Sequence, residues 1–190
     1  MTALRGFLLL GEPVSLDLVN TRVRTGGVDV DLLEKPSVLA VWLAAEADRL
    51  PWSGAVTTAD LQAVRTLRDA IAALLSARRA HAPPPRRALD TVNAALSTTG
   101  RASRIAWSRE GPRVELRAAG SKRDALMYTL AVDAARLLAG PDAKLVRTCE
   151  HPDCVLQFLA RNPRRRWCSA SVCGNRARVA RHYSRTRSHT

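Results

Sequence analysis

All four cysteines of the chain lie within 25 residues, in the pattern C-x4-C-x13-C-x4-C formed by Cys149, Cys154, Cys168 and Cys173. Tetrahedral zinc takes four ligands, and two close cysteine pairs provide them at little cost in chain entropy. The usual spacing within a pair is about two to four residues, so both pairs lie at its upper end. The pattern therefore predicts one bound zinc ion. The alternatives are unliganded thiols or a redox pair, two disulfides, and replacement of one cysteine by His151.

The predicted zinc site is structural because four thiolates leave no coordination position for a water molecule. The sequence around the cysteines offers no general base. The preceding residues carry His81 as their one histidine, no further cysteine and no glycine-rich phosphate loop. A module of about 40 residues buries little core, so metal binding is expected to supply much of its folding energy. The sequence thus predicts a zinc finger and not an enzyme.

Positive charge is concentrated around the cysteines. The chain has 30 Lys and Arg against 17 Asp and Glu, a net charge of +13. Residues 149–190 hold nine arginines against Glu150 and Asp153, which makes this segment +7 and leaves +6 for the other 148 residues. Such a balance favours a polyanionic partner, of which nucleic acid is the commonest. A genome-wide preference for arginine codons is the alternative explanation.

Two capping boxes mark helix starts, one at Thr57 with Asp60 and one at Ser121 with Asp124. The helix after Thr57 is the strongest in the chain, because its apolar residues recur at spacings of three and four. These residues are Leu61, Val64, Leu67, Ile71, Leu74 and Leu75.

Shorter helices are predicted from Ser37 and over residues 85–96, the latter with an inward stripe of Leu89, Val92 and Leu96. The helix after Ser121 is expected to end at Gly140, with this glycine as a left-handed cap before Pro141.

One β-hairpin is predicted where Ile105 and Trp107, and then Val114 and Leu116, alternate with polar neighbours. The earlier Gly26-Gly27 pair is interpreted as a loop. The predicted fold is therefore mainly α. A helical domain with one hairpin spans residues 1–141, and a small treble-clef or ribbon-like zinc finger spans residues 142–190. The sequence has no apolar run of the ~18–20 residues that a membrane helix needs, so a cytoplasmic protein without a membrane partner is expected.

The run Arg165-Arg166-Trp167-Cys168-Ser169, followed by Cys173-Gly174-Asn175-Arg176, closely resembles the CGNR zinc finger. Upstream, Gly11 and the segment Leu16-Asp17-Leu18-Val19-Asn20-Thr21 resemble the opening of the helical ABATE domain that accompanies this finger in stress-induced transcription regulators. The resemblance covers nearly the whole chain. It implies that the four cysteines are zinc ligands and that the protein regulates transcription.

Arginines near the metal are the candidate nucleic-acid contacts. Arg164, Arg165 and Arg166 precede the third cysteine, and a helix predicted from Asn175 to about Ser184 carries a stripe of Arg178, Arg181 and Arg185. Val179 and Tyr183 share another face of this helix and are expected to pack on the zinc core. Solvation of the arginines, or docking on acidic patches of the helical domain, is the alternative. For Asn175 and Arg176 we expect capping and bracing of the thiolates more than base contact, although Arg176 is retained among the candidates.

Asp17 and Asn20 lie at i and i+3 on a short apolar segment, with Thr21 beside them. Caps or a buried hydrogen-bond network are the expected role of such residues. A polar anchor in a small-molecule pocket is the sharper hypothesis.

Together these features predict a zinc-dependent DNA-binding transcription regulator. Its helical domain is expected to sense a small-molecule effector or to form a homodimer. A protein-interaction module that docks a transcription partner through the finger is the alternative.

Overall fold

The computed structural model describes residues 2–4, 7–50, 52–98, 101–108, 111–118 and 120–187. Six α-helices occur in these residues: α1 (Val14–Val19), α2 (Pro36–Ala45), α3 (Thr58–Arg79), α4 (Arg86–Leu96), α5 (Lys122–Ala139) and α6 (Cys173–Arg187). Eight strands form four antiparallel pairs: β1 (Thr2–Leu4) with β2 (Phe7–Leu9), β3 (Arg22–Thr25) with β4 (Val28–Asp31), β5 (Arg101–Ser108) with β6 (Gly111–Ala118), and β7 (Val146–Thr148) with β8 (Gln157–Leu159).

The core of the helical domain is built around α3, which packs against α1, α2, α4 and α5. The apolar stripe predicted for α3 is buried, and Val64, Leu67 and Ile71 are fully so. The short helix α1 is buried along its whole length, and it also contacts α5 and β8. A six-residue helix is unstable alone in water, so this packing is what holds α1 in place.

Both predicted capping boxes are present. The Thr57 side chain accepts the Asp60 N–H at 3.2 Å while the Asp60 carboxylate accepts the Thr57 N–H at 2.8 Å. Ser121 and Asp124 repeat the arrangement with the same two distances. These reciprocal bonds satisfy donors that a helix start otherwise leaves unpaired.

The predicted fold class is confirmed, and the predicted hairpin is β5–β6, in which Ile105 pairs with Val114. Two further pairs in the helical domain were not predicted. Gly26 and Gly27, interpreted above as a loop, have φ values of +59° and +79° and connect β3 to β4. A two-residue turn with both φ values positive is the usual connection of a tight hairpin, so the signal was present in the sequence.

Two local predictions are wrong. Leu89 is 40 % exposed, and α4 instead buries Ala88, Val92 and Ala95. Gly140 ends α5 as predicted, but its φ of −81° is not left-handed. Glycine is required there for space, because a Cβ would lie 2.5 Å from the carbonyl oxygen of Arg136.

A 3-10 helix (Pro141–Leu145) joins α5 to the finger. Beyond it, Val146 of β7 and Leu159 of β8 belong to the apolar core of the helical domain. The boundary at residues 141/142 stays a prediction, and the two strands of the finger share a core with the helices. None of the helices in the described part of the chain is long and apolar enough to span a membrane.

The fully buried Arg68 of α3 offers a test of the fold. Its guanidinium donates to both Asp31 oxygens at 2.6 and 2.7 Å. Arg68→Met would leave Asp31 partly buried without this partner, and we expect a loss of about 3 to 5 kcal/mol in the free energy of unfolding. Urea denaturation measures it.

Arg65→Met is the matched control, since Arg65 contacts the same Asp31 at 3.0 Å but is 36 % exposed. Its expected cost is about 1 kcal/mol or less. Equal losses in the two variants would contradict the role given to Arg68.

Candidate metal centre and nucleic-acid interface

The four cysteine sulfurs converge on one point. Cys149 follows β7, Cys154 precedes β8, Cys168 lies in the next loop and Cys173 is the first residue of α6. All four Sγ atoms lie within 4.8 Å of one another. The Cys154–Cys168 and Cys168–Cys173 sulfurs are 3.9 and 3.6 Å apart. A tetrahedron with metal–sulfur bonds of about 2.3 Å has edges of about 3.8 Å, so the sulfurs already have the spacing of zinc ligands.

Backbone amides surround the sulfurs on the protein side. The Cys168 N–H donates to Cys149 Sγ at 3.4 Å. The backbone N–H groups of His151 and Leu156 act to lower the pKa of Cys149 and of Cys154, respectively. Such bonds orient a thiolate and stabilise its negative charge. The group of converging ligand atoms consists of the four cysteines and does not include His151, whose Nδ1 accepts the Asp153 N–H at 3.1 Å.

The four thiols are so close together that the ionisation of one makes the ionisation of its neighbours less favourable. Hydrogen bonds from Cys154 and Cys168 lower the pKa of Cys149. Cys149 in turn raises the pKa of Cys154 and of Cys168, whose thiols donate to it, and burial raises the pKa of Cys173. A divalent ion that accepts all four sulfurs removes this conflict, which is why the donor set fits zinc.

A small apolar core encloses the cluster. Phe158 is fully buried beside the cysteines, and Leu8, Leu10 and Val23 of the helical domain pack against the same group. Gly174 lies close to Trp167 where α6 leaves the metal centre, and a Cβ there would lie 3.2 Å from the Trp167 ring, which is a tight contact. The finger thus combines a strand-loop-strand unit with a helix N-terminus, which agrees with the treble-clef or ribbon-like zinc finger predicted from the sequence.

A family model described as "putative stress-induced transcription regulator" and named ABATE matches residues 12–141. The chain belongs to the ABATE family. A second model, the CGNR zinc finger, matches residues 146–186 and so contains all four cysteines. Neither description names an enzymatic activity. No curated protein matches the chain. The match to the CGNR zinc finger and the spacing of the four sulfurs both indicate one structural zinc ion, which the finger holds.

Arg165 is placed between the finger and the ABATE domain and does not face outward. Its guanidinium lies 3.2 Å from the Glu12 carboxylate and 4.3 Å from the centre of the Phe158 ring. It also donates to the carbonyl oxygens of Leu159, Trp167 and Cys168. A nucleic-acid contact of Arg165 stays a prediction, and the contacts described for its guanidinium are with groups of the protein.

The neighbouring arginines are more accessible. Arg164 is exposed. Arg166 is 60 % exposed but pairs with Glu150 at 2.5 Å inside the finger and lies over the Trp167 ring. The three consecutive arginines therefore have different environments, and Arg164 is the one most open to an external partner.

Helix α6 projects from the metal centre. Cys173 and Gly174 are buried, whereas the side chains of Arg176, Arg178, Arg181 and Arg185 are exposed. Of the salt bridges that the described residues form, none joins these four arginines to a carboxylate. The helix runs to Arg187, beyond the predicted end near Ser184.

Two predictions about α6 need correction. Val179 is 46 % exposed, so it does not pack on the zinc core; the side chain of Tyr183 lies outside the described residues. Asn175 is exposed, as is Arg176, and its Oδ1 lies 3.5 Å from Arg178 Nη2. This position does not support the predicted bracing of the thiolates.

Asn20 and Glu12 hold the finger against the ABATE domain. The Asn20 amide donates to the Gln157 carbonyl oxygen at 2.9 Å and accepts the Gln157 N–H at 2.7 Å. Glu12 Oε2 accepts the Leu159 N–H at 3.0 Å. This matches the buried hydrogen-bond network expected for Asn20. Glu12 was missed, although a single acid between Gly11 and Pro13 beside an apolar segment was a usable signal.

Asp17 is buried beside Arg49, whose Nη2 lies 2.7 Å from Asp17 Oδ2. Burial raises the pKa of Asp17 to about 6 in spite of this arginine. Nearby, Glu46 Oε1 and Trp42 Nε1 are buried and have no hydrogen-bond partner among the described residues. A ligand pocket at Asp17 and Asn20 stays a prediction, and the contacts described for both residues are with protein groups.

Zinc removal should unfold the finger selectively. With zinc bound we expect one ion per chain by elemental mass spectrometry. Chelation should abolish amide-exchange protection around Cys149, Cys168 and Gly174 while the α3 amides stay protected, because the metal supplies the local folding energy. Cys154→Ser should lose the zinc, and His151→Ala should retain it as the matched control. Unchanged protection after complete zinc removal would contradict the assignment.

The raised pKa of Asp17 predicts a pH dependence of the stability of the protein, and an uncharged variant should remove this dependence. Its pKa is about 6 in the folded chain against 3.8 ordinarily, so its ionisation destabilises the fold as the pH rises. The stability of Asp17→Asn relative to the natural protein should therefore increase by about 1 kcal/mol between pH 5 and pH 7. Urea denaturation at several pH values measures this.

Asp29→Asn provides the comparison for that experiment. Arg24 keeps the pKa of Asp29 below 3.8, so this variant should show no trend between pH 5 and pH 7. A flat difference for Asp17→Asn as well would refute the raised pKa.

Proposed function

We propose that this ABATE-family protein is a zinc-dependent transcription regulator that binds DNA, with α6 as the helix that enters the groove. The observation that carries the proposal is the exposed arginine face of α6, which starts at a zinc ligand. Arg178, Arg181 and Arg185 lie at i, i+3 and i+7, so they share one side of the helix. Helix α6 contains five arginines and no acidic residue.

The geometry of α6 suits a DNA groove. Its 15 residues correspond to a rod of about 22 Å, and the major groove of DNA, about 12 Å wide, admits an α-helix. The metal centre fixes only the first turn, which leaves the remaining turns open to a partner. Arg164 adds a positive charge beside the metal centre.

The charge distribution within α6 also favours a polyanion. Four thiolates around one divalent ion leave net negative charge at the helix N-terminus, where the macrodipole is positive. Along the exposed turns, arginines three and four residues apart repel one another and destabilise a free helix. Phosphate groups relieve that repulsion, so α6 gains stability when DNA binds.

The ABATE domain is the proposed regulatory part, which senses an effector or forms the contact of a homodimer. The proposed location of such a regulator is the cytoplasm, where thiolates remain reduced and available to zinc.

One observation favours the alternative function, in which the finger docks a protein of the transcription machinery. Val179 is 46 % exposed on α6, and an apolar side chain on a projecting helix suits a protein groove. The two functions differ in their response to salt, because contact with phosphates releases counterions.

The test is binding of the zinc-loaded chain to a random duplex pool, followed by fluorescence anisotropy over a range of salt concentrations. Affinity should fall steeply with salt. In the triple variant Arg178→Gln/Arg181→Gln/Arg185→Gln, the slope of log K against log salt should become shallower by about 1 for each arginine that binds a phosphate in the natural protein. Sequencing of the retained duplexes gives the target site.

The matched control removes three positive charges from the ABATE domain at Lys35, Arg86 and Arg87, which are exposed. Their replacement by Gln should leave the slope nearly unchanged. No binding to any duplex with zinc loaded, or an equal effect of both triple variants, would rule out α6 as the DNA-binding element.

A further inference from the structure

A second group of positive charges lies away from α6. The C-terminus of α3, the 3-10 helix and β7 enclose a cavity of about 580 Å³. Arg78, Arg79, Lys144 and Arg147 line it together with His81, and none of the lining residues that the structure describes is acidic. Four positively charged residues from three separate elements therefore border one volume, although Arg147 Nη1 also lies 3.5 Å from the Pro163 carbonyl oxygen.

The charge of this cavity is not balanced within the described part of the chain. Arg49 and Arg123, which are 36 % and 41 % exposed, each pair with a carboxylate at 2.6–2.7 Å. Arg79 is half-buried, and its Nη1 donates to the Thr148 hydroxyl at 2.5 Å, but no salt bridge reaches it among the described residues. Burial lowers the pKa of Arg79, and a bound anion would favour its charged form.

Helix electrostatics explain only part of this arrangement. Basic residues in the last turn of a helix interact well with its macrodipole, which accounts for Arg78 and Arg79 at the end of α3. The macrodipole does not explain why Lys144 and Arg147 approach from other elements. His81 is also unusual, because its φ of 51° is a conformation that glycine adopts more easily. The His81 side chain lines the cavity.

We propose that this cavity binds a small phosphomonoester or a dianion of the same size, and that it is the effector site of the protein. Its volume lies within the usual range for small-molecule sites, about 300 to 1,000 Å³. Arg79 and the Thr148 hydroxyl supply directed donors, and Lys144 adds positive charge. Ala143 and Val146 provide an apolar wall for the body of the ligand.

The position of the site gives such a ligand a role. Arg79 belongs to the ABATE domain, whereas Thr148 lies directly before the zinc ligand Cys149. An anion held between them joins the helical domain to the finger. The binding step does not depend on DNA binding, so the two proposals can fail separately.

The test is titration of the zinc-loaded full chain with inorganic phosphate and with glycerol 3-phosphate at constant ionic strength, with chloride as the balancing anion. Isothermal titration calorimetry should show saturable binding of one ligand per chain. Amide shifts in NMR should be confined to residues 78–81 and 143–148. Arg79→Gln and Lys144→Gln should each weaken binding by about tenfold.

The controls separate this site from general electrostatics and from DNA. Arg79→Lys keeps the charge and should retain more affinity than Arg79→Gln. The double variant Arg86→Gln/Arg87→Gln removes two exposed charges elsewhere and should bind the phosphomonoester normally. Lys144 is exposed, so its variant tests the site without disturbing the core.

Two results would overturn the inference. One is the absence of saturable binding, or equal binding in all variants. The other is that a short duplex shifts the same amides and that Arg79→Gln weakens duplex binding as much as the α6 triple variant does. In that case the cavity belongs to a nucleic-acid surface and is not a small-molecule site.

Discussion

The outer edge of β8 is paired with side chains from both ends of α1. Asn20 satisfies the N–H and carbonyl groups of Gln157, and Glu12 satisfies the N–H of Leu159. A two-stranded sheet leaves such an edge unpaired, and unpaired buried backbone groups are costly. Glu12 and Asn20 thus replace a third strand. Because they do so from the helical domain, they hold the finger, and with it the exposed arginines of the finger, against that domain.

The zinc ion and this contact support each other. The metal holds the loops that carry Cys149 and Cys154 beside β8, and β8 contributes Phe158 to the small core of the finger and Leu159 to the core of the helical domain. Arg165 connects the two regions, since it contacts Glu12 on one side and the Cys168 carbonyl on the other. Loss of zinc therefore removes order from the metal loops first, and the helices that pack around α3 remain.

Sequence reasoning succeeded where structure is determined locally. The capping boxes at Thr57 and Ser121 involve residues three positions apart, and the spacing of the paired cysteines by itself indicates a metal site. It failed where a contact joins distant segments. Asn20 and Gln157 are 137 positions apart, and no local pattern reveals their pairing. The sequence does not distinguish Arg164, Arg165 and Arg166 from one another. Only the folded structure, in which Glu12 lies beside Arg165, shows that the middle arginine differs from the other two. The predictions that Leu89 and Val179 are buried were wrong for the same reason. Periodicity identifies a helix face but does not identify the neighbour that covers it.

The net charge of +13 is easier to interpret once the partners of each arginine are known. Arg49, Arg68 and Arg165 are paired with carboxylates inside the protein, so they contribute to the fold. The remaining charge includes two separate groups, on α6 and around the cavity beside Thr148. The first group lies on the finger, and the second lies between the end of α3 and β7. Ligands at the two sites influence each other only if one of them binds differently when the finger is docked and when it is released. The bonds of Asn20 and Glu12 to β8 and to Arg165 are the place where that difference would arise, since they join the finger to the ABATE domain.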